Sequence, residues 1–114
     1  MNQEKLSDKK CVPCEGGLSP FSQELSIKYL DKLSSNWRFL PKHAYTKIHK
    51  KFKFKNFKYA MDFANKVAKI AESENHHPDL HISWGLCEVE ISTHAIGGLS
   101  ENDFILASKI DEIN

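Results

Sequence analysis

Lys47-Ile-His-Lys-Lys-Phe-Lys-Phe-Lys55 runs directly into Asn56-Phe-Lys-Tyr-Ala-Met-Asp-Phe-Ala-Asn-Lys-Val-Ala-Lys-Ile-Ala-Glu-Ser-Glu74. The hydrophobic period changes at this junction from two to about 3.6, which is the change from strand to helix. In the first part Ile48, Phe52 and Phe54 share one face, interrupted by Lys50. Lys47, His49, Lys51, Lys53 and Lys55 share the other. One apolar and one basic face describe a half-buried antiparallel strand. A basic stripe can bind phosphate, but lysine without arginine or stacking aromatics on its face favours a solvated sheet surface. In the second part Ala60, Phe63, Ala64, Val67, Ile70 and Ala71 form a broad apolar face on a helix that Asn56 can cap.

Working outward, Ser22 is a candidate cap for a first helix with a Leu25, Tyr29, Leu30 and Leu33 stripe. Trp37–Leu40 is a short strand candidate stopped by Pro41. Downstream, Pro78 disfavours helical geometry at His77, so the long helix ends before it. Leu80–Trp84 and Cys87–Thr93 alternate as two strands, with Leu80, Ile82 and Trp84 on one face. Trp84 is expected to pack in the core. Gly97-Gly98 permits a tight return, and Ser100-Glu-Asn-Asp103 has the spacing of a helix cap before a last apolar helix. The order helix, two strands, helix, two strands, helix predicts an α+β fold, a four-stranded antiparallel sheet with three helices packed on one face. Residues 1–19 are expected to form a polar N-terminal arm and residues 20–114 a single domain.

The chain has 114 residues, 40% of them hydrophobic and 27% charged, with a net charge of +1. That length supports one core without metal or disulfide staples. The charge offers no bulk attraction to nucleic acid or to a membrane surface. The first ten residues contain no apolar run, and no window spans a bilayer, so a cytoplasmic location is expected. Three cysteines make an odd count, which argues against a closed disulfide framework. Cys11 and Cys14 form a Cys-x-x-Cys among loop formers with no second close pair, so a plain arm is favoured over zinc or redox use.

The chemistry concentrates in Glu72-Ser-Glu-Asn-His-His-Pro-Asp79 and Ser92-Thr-His-Ala-Ile-Gly-Gly-Leu-Ser-Glu-Asn-Asp103. Histidine gives or takes a proton near neutral pH, and His76, His77 and His94 all fall on turn-like segments. Glu72 and Asp103 flank them. His76 and His77 are adjacent on a turn, so their side chains diverge and are badly placed to chelate one ion. No Gly-x-Ser-x-Gly elbow occurs. Proton transfer is the chemistry these residues favour.

Glu72-x-x-x-His76-His77-Pro78, then Trp84, Thr93-His94, Gly97-Gly98-Leu99 and Asp103 resemble the signature of the pterin-4a-carbinolamine dehydratases. Lys51–Phe57 followed by Ala60, Phe63 and Val67, with Cys11-x-x-Cys14-Glu15-Gly-Gly17 and Asn102-Asp-Phe104, is similar to bacterial members. Two departures are mild: Asp79-Leu80 stands where animal members carry an aromatic, and Ser73-Glu74-Asn75 is more polar than in some relatives. The resemblance covers nearly the whole chain and implies the same sheet-and-helix fold. It implies dehydration of a 4a-hydroxytetrahydropterin to a quinonoid dihydropterin, in recycling of tetrahydrobiopterin, with no metal and no added cofactor. His76, His77 and His94 become the implied catalytic trio, and Glu72, Pro78, Thr93 and Asp103 the residues that orient them or bind substrate. His76 and His94 are assigned the acid/base chemistry and His77 the holding of the pterin. The implied partners are a small-molecule pterin and further copies of the chain, as a homodimer or homotetramer. Two alternatives accompany the resemblance: a protein-binding module of the transcription-factor dimerisation type, and a dehydratase of another pterin, as in molybdopterin metabolism.

Overall fold

The change of period at Asn56 is a change of element. The computed structural model of the chain describes residues 5–12, 19–33 and 36–114. Along it run α1 (Gln23–Leu30), β1 (Arg38–Phe39), β2 (Ile48–Lys53), α2 (Phe57–Glu74), β3 (Asp79–Ser83), β4 (Leu86–Ile91) and α3 (Glu101–Glu112). The strands form one antiparallel sheet in the order β1-β2-β4-β3. β2 and β4 sit at its centre although α2 and β3 separate them in sequence. The helices cover one face, as the one-sided patterns require.

The caps explain the boundaries. Ser22 accepts the Leu25 N–H at the start of α1, and Asn56 accepts the Tyr59 N–H at the start of α2. Inside, Ile48 and Phe52 of β2 and Cys87, Val89 and Ile91 of β4 meet Phe63 and Val67 of α2 and Phe104, Leu106 and Ile110 of α3. Lys50 also points inward. Its Nζ is 2.7 Å from Asp111 Oδ1, and Asp111 Oδ2 accepts the Trp37 indole N–H at 2.9 Å. A charge on the core face is tolerated because α3 supplies its counter-charge.

On the outer face the basic row of β2 lies beside Glu88 and Glu90 of β4, and His49 Nδ1 is 2.8 Å from Glu88 Oε2. That is a solvated, charge-paired surface.

Two expectations are corrected. In α1 the inward stripe is Ser26, Tyr29 and Leu30, continued by Leu33 in the turn after it, while Leu25 is exposed. The Tyr29 ring packs tilted against both Phe21 and Phe104, and this sets the helix's rotation. Trp84 is not core: it is 70% exposed. With Gly85 it forms the two-residue turn between β3 and β4, where the pleat ends and alternation no longer places side chains. Gly85 is required there, since a Cβ would lie 2.8 Å from the Phe54 carbonyl oxygen.

Candidate active site

Two segments build the site. The first begins where α2 stops. Asn75 adopts the left-handed conformation (φ 52°), and the His76 N–H returns to the Ala71 carbonyl. Asparagine tolerates that conformation, and Pro78 keeps the chain extended afterwards. His76 and His77 therefore leave the helix in different directions. His76 turns inward, its Nε2 2.7 Å from Asp103 Oδ1. His77 turns outward, its Nε2 2.5 Å from Glu72 Oε2, with both side chains mostly in solvent.

The second segment follows β4. Ser92 and Thr93 are buried, and His94–Ile96 form a single 3-10 turn closed by a Thr93–Gly98 bridge. Gly97 carries φ 67°, and a Cβ on Gly98 would lie 2.6 Å from Pro20 Cβ. Both glycines are therefore needed to hold the loop that presents His94. The His94 imidazole is exposed and has no hydrogen-bond partner among the described residues.

Asp103 joins the segments. It is 0% exposed and its carboxylate is satisfied by three donors. Oδ2 accepts from Thr93 Oγ1 and the Ser100 N–H, each at 2.8 Å, and Oδ1 faces His76. A buried carboxylate requires such donors. Asp103 is thus both the helix-start acid of a capping box and the partner of a site histidine.

A cleft of about 510 Å³ brings His76, His77, Thr93 and His94 together. Glu72 and Asp103 do not line it and reach it only through their histidines; Pro78 also lies outside its lining and shapes the backbone. Cys11 and Val12 line it as well. Both belong to the polar arm; the Cys-x-x-Cys motif marks Cys11 but does not point it to this cleft, and no local signal marks Val12. The Cys11 N–H donates to Glu74 Oε1 at 2.8 Å, and Glu74 pairs with Lys109 at 3.1 Å. Burial, then the charges of Glu74 and Asp103, push the Cys11 thiol up to about 12, so it stays protonated at neutral pH. Cys14 lies outside the described residues. Among the described residues no three His, Cys, Asp or Glu side chains converge as a metal site would need.

The family model described as Pterin 4 alpha carbinolamine dehydratase matches residues 19–113. The chain belongs to that family. A Rickettsia canadensis protein provisionally named pterin-4-alpha-carbinolamine dehydratase is 55% identical over 106 residues, covering 93% of this chain and 94% of its own. A Methylococcus capsulatus protein of the same provisional name is 47% identical over 99% of this chain and 96% of its own. Among solved structures, a transcriptional coactivator/pterin dehydratase from Brucella melitensis superposes with a TM-score of 0.76 at 27% identity, covering 83% of this chain and 98% of its own. A pterin dehydratase-like RuBisCO assembly factor of the alpha-carboxysome shares the fold alone, with a TM-score of 0.57 at 18% identity over 68% of this chain and 88% of its own. Family membership therefore supports a dehydratase-type activity on a pterin carbinolamine. No helix among the described residues is long and apolar enough to cross a membrane.

Proposed function

We propose that the chain dehydrates 4a-hydroxytetrahydrobiopterin to quinonoid dihydrobiopterin and water, one step in recycling the tetrahydrobiopterin cofactor of aromatic amino acid hydroxylation. The observation that carries this is the cleft in which three histidines meet while a fully buried carboxylate grips one of them. The reaction needs a proton placed on the 4a-hydroxyl and another removed from the neighbouring N5. As the C4a–O bond breaks, the electron pair of the N5–H bond becomes the C4a=N5 double bond. The hydroxyl leaves as water. Neither step needs more than two positioned proton-transfer groups, each worth about 10²–10⁴-fold.

Asp103 accepts the His76 Nε2–H, so the neutral ring carries its lone pair on Nδ1. That makes His76 the base for N5–H, with the buried carboxylate stabilising the imidazolium that forms. His94, without a competing partner among the described residues, is the acid that protonates the hydroxyl. His77, backed by Glu72 at the rim, holds the pterin. Thr93 serves through Asp103. A homodimer or homotetramer belongs to the same proposal, and sedimentation velocity reads it directly.

The test is His94→Ala and His77→Ala in folded protein, with release of the quinonoid product followed by stopped-flow absorbance. His94→Ala should lower kcat by about 10²–10⁴-fold, and His77→Ala should mainly raise KM. If both variants turn over a carbinolamine as fast as the parent, the histidine mechanism is wrong.

A further inference from the structure

We propose that the N-terminal arm is a wall of the substrate cleft, and that Val12 is a specificity-determining contact for the flat ring of the pterin. The proposal rests on the preceding reading of this cleft as the pterin site. It concerns residues that lie before the family match at residue 19.

The arm is gripped by its backbone. Asn102, 3% exposed, accepts the Val12 N–H through Oδ1 at 2.9 Å and donates Nδ2–H to the Val12 carbonyl at 2.6 Å. Its amide therefore pairs with one residue of the arm as a neighbouring strand would. Glu74 holds the Cys11 N–H in the same way, with its other oxygen on Lys109. Buried side chains seldom spend their hydrogen bonds on an exposed lead-in, because leaving one unmet is costly. Farther out, Lys9 pairs with Glu101 and Ser7 with Glu112.

This grip fixes an apolar side chain where it gains little from the fold. Val12 is 65% exposed, yet it lines the cleft that holds His76, His77 and His94. The Cys11 thiol is turned to the Asn102 carbonyl at 3.5 Å and stays uncharged, so the arm presents a neutral surface. A planar heteroaromatic ring is the class of ligand that would cover such a surface while its reacting edge meets the histidines. Asn102 and Asp103 are consecutive in the first turn of α3. One holds the wall and the other holds His76, so the two are placed relative to each other by a single helical turn.

Apolar cover over a non-reacting ring is the same in ground and transition states, so its loss raises KM and leaves kcat alone. In the full chain, Val12→Asp should raise KM for a 4a-hydroxytetrahydropterin by about five- to tenfold with kcat within twofold. Calorimetric affinity for 7,8-dihydrobiopterin should fall by a similar factor. Ser7→Ala, at the far end of the arm, should behave as the parent. The Val12 side chain is outside the core, so these variants fold. Parental KM and affinity in Val12→Asp, beside a His94→Ala variant that has lost its rate, would overturn the wall alone. A fall in kcat with KM unchanged would overturn it too. A His94→Ala variant with the parental rate overturns the site reading, and the wall with it.

Discussion

Replacing Asp103 by Asn separates what this buried carboxylate does for the fold from what it does for the chemistry. The shape is kept, but the charge is lost and one acceptor becomes a donor. Thr93 Oγ1 and the Ser100 N–H both point at one oxygen, so the retained oxygen stays there and the new amide N–H₂ faces His76 Nε2. That nitrogen must then accept, which moves the ring proton to Nδ1 and removes the lone pair that the proposed mechanism uses as base. Hydrogen bonds to a charged group are worth about 1.5–3 kcal/mol and neutral ones about 1 kcal/mol. With three bonds converted or weakened, a loss of about 2–4 kcal/mol is expected, lowering Tm by roughly 8–20 °C. The rate should fall by about 10²–10⁴-fold at a temperature where parent and variant are both folded. Circular dichroism melts give the first number, and stopped-flow formation of the quinonoid product gives the second. A folded variant with the parental kcat would refute the assignment of His76 as base. A parental Tm would refute the account of how the buried carboxylate is satisfied.

Two further outcomes follow from the geometry. Gly98→Ala drives a Cβ into the Pro20 ring, which the backbone tethers, so a loss of about 1–3 kcal/mol in urea unfolding is expected. Activity should drop further than this instability explains, because the same loop carries His94; a fully active variant would show that the loop tolerates movement. Burial alone would raise the Glu74 carboxyl, but the Cys11 N–H and the Lys109 ammonium outweigh it and hold the group below its ordinary value. The folded state then keeps Glu74 ionised where the unfolded chain takes up a proton. Its stabilisation is complete above roughly pH 5 and drains away as pH falls below about 4.3 toward the folded value. Glu74→Gln should flatten that part of the stability curve, and an unchanged slope between pH 6 and pH 3.5 would contradict the ion pair's role.

Much of the fold was legible in local pattern. The change of period at Asn56, the caps at Ser22, Asn56 and Ser100 and the stop imposed by Pro78 act within a few residues, so the chain order alone displays them. The same holds for the divergence of His76 and His77, which follows from adjacency on a turn. Other features depend on partners far away in sequence. Lys50 looks like an error in an apolar face until Asp111, 61 positions on, answers its charge. Trp84 reads as core by alternation, but a two-residue turn ends the alternation and leaves it in solvent. The site divides in the same way. The sequence names three histidines and two acids, but not which acid serves which histidine. Asp103 reaches His76 across 27 positions because α3 packs against the end of α2, and Glu72 takes His77 because His77 alone faces outward. The N-terminal arm is the plainest case. Its backbone is held by side chains 63 and 90 positions away, so only tertiary packing could bring Cys11 and Val12 to the histidines.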